Sequence, residues 1–412
     1  MTSPKPNWHS STPLPFLRQT DKELYPRRWY DNIFNPWVTA NPIKNTQSDA
    51  ILNQIWTSSK VACRRTSKES WDLPLRWNAE AASAGKIVRV VCAEMADWLD
   101  PDVPTVWRSS LLHLIKVTPN ITWLMVTRSP EHWRRLLEEC RKMPQNEIGL
   151  NSSGFTEWID RWLNGQPPAN VWMGSVIRNP AKLEDRMNNF LQIPARLRFL
   201  FALPTQGDLD LSPWMKEVCV KCGKPRSEVE RHYNPTTKEI SDTPTGMSQC
   251  SGCGQVYRNS DVSSHYKQPF QWLVCDGAGA PVPAERVRSL RDQCLAKRLP
   301  FFFVGWGEWT NGILDTEKNK LALQDGRIIF PDPVSMDIWK WEAGSDSDPQ
   351  NHVLEVSARL RYNVSSPAQR EAWRSANNRL LDGVEYLEFP TLAQKENDAA
   401  KMHASRFPFK LH

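Results

Sequence analysis

The chain reads as an α/β protein, and three observations lead there: short apolar runs recur along it, stretches with helical spacing lie between them, and turn residues mark the joins. The runs are KIVRVVCAE (86–94), ITWLMVTR (121–128), NVWMGS (170–175), RLRFLFALP (196–204), FQWLVCDG (270–277) and LPFFFVGWG (299–307). They are rich in Val, Phe and Trp and too continuous to have one wet face, which predicts parallel strands covered on both sides. About six rounds of strand and helix suit either a (β/α) barrel or an open doubly wound sheet, and periodicity does not choose between them.

The elements follow in order. The opening MTSPKPNWHSSTPLPF (1–16) is polar and proline-rich, which predicts a loose arm rather than a secretory leader. Trp107–Lys116 places Leu111, Leu112, Leu114 and Ile115 on one broad apolar face. Pro130 opens PEHWRRLLEECRK at the helix position where proline is tolerated, and a further helix is predicted over Glu285–Arg298. Between Leu211 and Gln271 the alternation breaks. After Trp309 the order is obscure, with one hairpin predicted around LQDGRIIFPDP (323–333), its turn at Asp325-Gly326, then an acidic loop AGSDSDPQ. From Gln394 a charged helix or arm is expected.

Bulk composition narrows the class. With 412 residues the chain accommodates one large α/β domain and small additions. No run approaches the ~18 apolar residues of a membrane span, so no membrane partner is expected. The net charge of +6, from 52 basic and 46 acidic residues, permits an anionic partner without arguing for one. Twenty tryptophans spread from Trp8 to Trp373 suit core packing better than a stacking platform. Neither GxGxxG nor GxxxxGK[ST] occurs, so no dinucleotide or P-loop site is indicated. Nine cysteines, four of them in CxxC pairs, point to a reducing, cytoplasmic setting and a metal rather than a disulfide framework.

The clearest chemical signal lies at CVKCG (219–223) and CSGCG (250–254), a CxxC-x27-CxxC pattern with each pair followed by glycine. Cys219, Cys222, Cys250 and Cys253 match one tetrahedral Zn²⁺, since CxxC lets two sulfurs reach one ion and the glycine permits the tight turn. Free thiols or a redox pair are the alternative. A four-cysteine site has no open coordination position, so one structural zinc in a zinc-ribbon-like insert is expected, not a catalytic ion. Around it Lys221, Lys224, Arg226, Arg231, His232 and Arg258 are candidates for phosphate contact, against the plainer reading of solvated charge.

Several strings together resemble the phage gene-product thirty-seven/sixty-eight family, a domain of unknown function that looks like a radical-SAM enzyme. They are FNPW (34–37), CRRTS (63–67), LPLRWN (73–78), AEMADWLD (93–100), WLMVTRSP (123–130), NVWMGS (170–175), RFLFALPTQGDLDL (198–211), RSLRDQC (288–294), PFFFVGWGEW (300–309), DGRIIF (325–330) and RLLDGVEYLEFP (379–390). The resemblance implies a radical-SAM-like partial (β/α) barrel. It divides the chain into an arm (1–28), the first part of the barrel (29–216), the zinc-ribbon-like insert (217–266), the last strands and helix (267–309), an extension packed on the barrel (310–393) and a tail (394–412).

The departures from that family carry as much as the matches. Its members follow NPW with a C-x6-C-x2-C set expected to hold an iron-sulfur cluster and S-adenosylmethionine. Those positions fall here at Ala40, Gln47 and Ala50, and residues 1–62 contain no cysteine at all. Where the family has SCEP this chain has Phe201-Ala202-Leu203-Pro204. A glycine-glycine-glutamate turn becomes Cys275-Asp276-Gly277-Ala278-Gly279, and a lysine becomes Val304. Threonine-lysine-arginine-proline becomes Thr127-Arg128-Ser129-Pro130, and a glutamate becomes Arg178. Packing strings persist while polar residues at strand ends change, the pattern of a vacated active site on a retained scaffold.

The expected function is therefore a phage-type, zinc-containing binding or scaffold module with neither iron-sulfur cluster nor S-adenosylmethionine. Its partner would be nucleic acid or another phage-encoded protein in the host cytoplasm, with Arg128 and Arg178 as anion-binding candidates at the mouth. Glu131 and Asp185 are the acids that would otherwise pair with them. The alternative is a hydrolase or transferase at the strand C-termini, using Glu94, Asp97, Asp100, Asp102, His113 or Asp276. Against it, Asp100-Pro101 and Asp102 are ordinary turn and cap residues. A third possibility is a regulatory subunit that pairs with an active homologue.

Overall fold

The computed structural model describes residues 29–39, 63–93, 96–144, 154–226, 232–241, 245–277, 280–307, 309–324, 326–340, 352–361, 379–393 and 395–396. The vacated positions Ala40, Gln47 and Ala50, together with Glu94, Arg231 and Asp325, lie outside them. The chain forms two compact units, one of Met1–Leu209 with Trp272–His412 and the other of Asp210–Gln271.

In chain order the larger unit begins with β1 (Asn32–Ile33), β2 (Trp37–Thr39), β3 (Cys63–Arg65), α1 (Lys68–Ser83), β4 (Val88–Cys92), α2 (Thr105–Val117) and β5 (Ile121–Thr127). It continues through α3 (Trp133–Arg141), α4 (Phe155–Leu163), β6 (Val171–Ile177), α5 (Leu183–Leu191) and β7 (Leu197–Ala202). The smaller unit holds β8 (Val218–Cys219), β9 (His232–Tyr233), β10 (Ile240–Ser241), β11 (Met247–Gln249), β12 (Val256–Arg258), α6 (Val262–His265) and β13 (Tyr266–Lys267). The larger unit resumes with β14 (Trp272–Asp276), α7 (Ala284–Ala296), β15 (Phe301–Gly305), β16 (Thr310–Asp315), β17 (Lys320–Leu323), β18 (Ile328–Ile329), β19 (Met336–Lys340) and β20 (Val353–Leu360).

Each of the six apolar runs is a strand. With β1 they form one parallel seven-stranded sheet in the order β1-β4-β5-β6-β7-β14-β15. Spatial order equals chain order and never reverses, so the sheet has no switch point and is a curled half barrel flanked by helices rather than a doubly wound sheet. β5 and β6 are buried at every residue, as strands covered on both faces must be.

Side-chain alternation sorts the two faces. Leu124, Val126, Trp172, Val176, Phe199, Phe201, Trp272, Val274 and Phe302 form one cluster with Trp29, to which none of the named helices contributes. This is the concave side, and aromatic rings fill it. Trp29 stacks on Phe201 at 5.4 Å and meets Trp272 edge-on at 6.0 Å, and Phe389 closes over Trp272 at 5.3 Å. Gly174 occupies the one place in β6 where no side chain fits, because a Cβ there would stand 2.3–2.9 Å from the Phe199 ring. Gly174→Ala is expected to lower stability by about 1–3 kcal/mol through overpacking, read as a lower urea midpoint at unchanged slope.

The FNPW turn is buried. Phe34 packs edge-on between Trp71 of α1 and Trp123 of β5, at 5.5 and 5.8 Å. The Pro36 carbonyl accepts from Thr66 N–H and Oγ1, and Trp37, with no exposed surface, opens β2, which pairs antiparallel with β3.

The obscure region after Trp309 is an antiparallel sheet of order β18-β17-β16-β20-β19, of which the predicted hairpin is only the β17–β18 part. Gly326 takes a left-handed conformation at φ +84° in that turn. Leu314, Leu321, Leu323, Met336, Val356 and Ala358 form its apolar face. On β20, Glu355 accepts both Nη groups of Arg288 from α7 at 2.9 and 2.8 Å, while Arg288 Nε donates to Asp382 at 2.8 Å. Glu396, from the stretch expected to be a tail, accepts from Thr122 Oγ1 and Trp172 Nε1 at 3.1 and 3.4 Å and pairs with Arg196.

Candidate metal centre and barrel mouth

The smaller unit is built around the two CxxC turns, and these turns are copies of one another. Cys219 N–H donates to the Lys224 carbonyl and Cys250 N–H to the Gln255 carbonyl, both at 2.9 Å. Gly223 N–H then returns to the Cys219 carbonyl at 2.8 Å and Gly254 N–H to the Cys250 carbonyl at 2.9 Å. Gly223 and Gly254 have φ of +71° and +73°, a conformation that explains glycine after each pair.

The turns bring Cys219, Cys222, Cys250 and Cys253 together with every Sγ within 4.8 Å of the others, the one such group of potential ligands among the described residues. Cys219 to Cys253 is 3.9 Å and Cys222 to Cys250 is 3.7 Å. A tetrahedron with Zn–S bonds of about 2.3 Å has sulfurs about 3.8 Å apart, so the spacing fits a single ion of that size. A Cβ at Gly252 would stand 2.8 Å from Cys222 Sγ, so the second turn closes tightly over the first.

The electrostatics agree with the geometry. Burial opposes ionisation of Cys250, but the Cys253 and Gly252 N–H groups, the Tyr266 hydroxyl and the Cys219 thiol outweigh it and bring the thiol down to about 6. Cys222 goes the other way: the Lys224 N–H favours its thiolate, while burial and the three neighbouring sulfurs push it up to about 11. Four cysteines this close could all ionise together only with a cation between them.

The candidate cations of this unit differ in their surroundings. Arg226 pairs with Glu217 at 3.2 Å and lies over the Tyr266 ring at 5.7 Å. Lys221 and Lys224 are exposed on the first turn beside the exposed Val220, and neither makes an ion pair among the described residues. His232 is half-buried on β9, and Arg258 is exposed at the end of β12.

At the C-terminal ends of the barrel strands Asp97 and Asp100 serve the loops. Asp97 is buried and accepts from Leu99 N–H at 3.0 Å, Thr127 Oγ1 at 2.8 Å and Arg128 N–H at 2.8 Å, tying the β4 loop to the end of β5. Asp100 accepts from Asp102 N–H at 3.0 Å, and burial raises its carboxyl above the usual range. Arg108 of α2, fully buried, donates to the Trp98, Asp100 and Val103 carbonyls and fixes the same loop. His113 lies on α2 with its ring 6.0 Å from Phe155, and burial lowers its pKa. Asp276 is buried at the end of β14.

Arginines gather at the ends of β5 and β6. Arg128 and Arg178 follow the concave residues Val126 and Val176 by two, so alternation carries both toward the concave rim. Burial depresses the Arg178 guanidinium and the Arg128 charge depresses it further. Arg186 of α5, which sequence reading missed, stands in the same field. Burial lowers its pKa, Glu131 and Asp97 favour its charge, and Arg128 opposes it. Its signal was present in the sequence: Leu183, Met187 and Phe190 form the buried stripe of α5, and residue 186 falls on that stripe at i+3 from Leu183.

Among the described residues no helix is long and apolar enough to cross a membrane. Comparison with curated proteins and with solved structures finds no match. A family model described as a protein of unknown function, DUF5131, matches residues 28–390, and the chain belongs to that family.

Proposed function

We propose that this chain is a zinc-bearing nucleic-acid-binding module, phage-encoded and built on a radical-SAM-like half barrel whose cluster site has been vacated. The observation that carries the reading is the first cysteine turn, a rigid loop that presents Lys221, Lys224 and Val220 to solvent with both lysines outside any ion pair among the described residues. Two cations held at fixed spacing by a metal suit phosphate oxygens, because the ordering cost is met by the metal before the partner arrives. Two features support a binding role over barrel chemistry. The residues aligned with the family's cluster cysteines, Ala40, Gln47 and Ala50, offer no thiolate, and aromatic rings occupy the concave face.

Fluorescence anisotropy with labelled single- and double-stranded oligonucleotides between about 50 and 200 mM salt tests this reading. Saturable binding is expected, with affinity falling as salt rises. The Lys221→Glu/Lys224→Glu pair should weaken it and reduce the salt slope by roughly one for each lysine. Binding and slope that are the same in the double variant, or no saturable binding in the native protein, would remove the reading.

A further inference from the structure

We propose that β19 is a docking edge for an extended peptide segment of another protein, which adds a strand to the C-terminal sheet and seats an apolar side chain in the cavity beside it. The site uses neither the metal unit nor the barrel mouth. β19 lies at one end of its sheet and pairs with β20 alone among the described residues. In that antiparallel ladder Arg361 N–H donates to the Ser335 carbonyl at 2.9 Å, so Asp337 and Trp339 follow in the hydrogen-bonded positions. Ile338 and Lys340 take the alternate positions and turn their N–H and C=O groups away from β20, where no described residue pairs with them.

Beside this edge lies a cavity of about 440 Å³, lined by Leu314, Met336, Ile338 and Trp339 and by the Pro331–Pro333 loop, whose Pro331 carbonyl accepts from Asn319 Nδ2 at 3.1 Å. That volume is within the ordinary range for a ligand pocket, about 300–1,000 Å³. Of the charged groups lining it, Asp337 accepts from Arg359 and Arg361 at 3.1 and 2.7 Å, and Asp332 accepts from Val334 N–H at 3.0 Å. Lys340 is exposed and has no ion pair among the described residues. Sheet edges are ordinarily blunted. β18, at the opposite end, is two residues long and runs into Pro331 and Pro333, whereas β19 has five residues and an exposed Trp339. Half of the exposed large apolar side chains among the described residues fall within 310–361, Ile328, Phe330, Val334 and Trp339 among them. Exposed apolar groups concentrated beside an open strand edge mark an interaction surface.

The chemistry of the occupant follows from what the edge lacks. Outward N–H and C=O groups on alternate residues are matched by the backbone of an extended peptide, and the cavity takes the side chain that comes opposite Ile338. The peptide residue two places along comes opposite Lys340 on the same face, where a carboxylate completes the pair. The partner motif is therefore an extended segment with a large apolar residue and an acidic residue two positions apart. A proline-rich helix carries no N–H groups for the ladder, and a nucleic acid has no such backbone.

A yeast-displayed library of random dodecapeptides, panned on the native full chain, supplies the probes, and fluorescence anisotropy of the enriched peptides made synthetically is the test. The enriched sequences should share the apolar and acidic residues two apart and bind saturably at one site. N-methylation of a peptide at alternate amides should reduce binding by about tenfold or more in one of the two possible patterns and leave it nearly unchanged in the other, because only one set of amides faces the edge. Lys340→Glu should weaken the peptide by about threefold or more, and exchanging the peptide's acid for lysine should restore binding to that variant. Lys340 is exposed at the end of β19, so the substitution leaves the sheet intact. Failure to enrich any peptide, the same response to both methylation patterns, unchanged affinity in Lys340→Glu, or enrichment of proline-rich sequences would each overturn the site. Dimerisation of the native chain that Lys340→Glu abolishes, with no peptide enriched, would give the edge to a second copy and overturn the proposed partner. The Lys221→Glu/Lys224→Glu pair leaves peptide binding intact, so this edge and the lysine surface fail separately.

Discussion

Replacement of Cys250 by serine is expected to take the zinc content from about one per chain to near zero and to unfold the smaller unit while the barrel stays folded. Cys250 is the candidate ligand whose removal is expected to do most damage. It is buried, its Sγ stands 3.7 Å from that of Cys222, and its carbonyl and N–H both anchor the second turn. The core of this unit is otherwise small, with Cys219, Cys250, Tyr257 and Tyr266 as its buried cluster. Two of those four are candidate ligands, so without an ion little apolar burial would remain to oppose chain entropy. Zinc released to a chromogenic chelator, followed alongside protease cleavage within residues 210–271, reports both effects. A Cys250→Ser protein that keeps its zinc and resists the protease would mean that the four sulfurs do not form the site.

Trp272→Ala should cost about 3–5 kcal/mol, the other large effect, because it empties the centre of the concave face. Trp272 has no exposed surface, and its ring contacts Trp29, Trp172, Phe199, Phe302 and Phe389. Its indole N–H also donates to the Glu388 carbonyl at 2.8 Å, so truncation loses this hydrogen bond as well as leaving a cavity. Trp272→Phe should recover most of the packing but not the hydrogen bond. Urea unfolding of the two variants measures the difference. A loss below about 1 kcal/mol for the alanine variant would show that the concave face is not a packed interior.

How much of this was legible follows from what each segment buries. The six parallel strands were readable because burial on both faces makes them nearly continuous apolar runs, as in ITWLMVT and VWMGSVI. The choice of barrel over open sheet was not in the periodicity. It needed the strand order, in which each new strand joins the same edge. The clustering of the four cysteines was readable because CxxC-glycine fixes a local turn whatever surrounds it. The C-terminal sheet was missed because its strands mix apolar and paired polar residues: in VLEVSARL, Glu355 and Ser357 face partners on the α7 side rather than solvent. Arg186 was missed, although it lies beside the buried stripe of α5, because its neighbours Glu131, Asp97 and Arg128 are supplied by distant segments that only the fold brings near.

We propose a zinc-bearing binding protein on a barrel without an iron-sulfur cluster, and elemental analysis of protein purified without added metal decides between that and a cluster-bearing chain. One zinc and no iron per chain is the predicted result. Iron in near-stoichiometric amount would contradict it, because the cysteines assigned to zinc or to the packed core would then be holding a cluster.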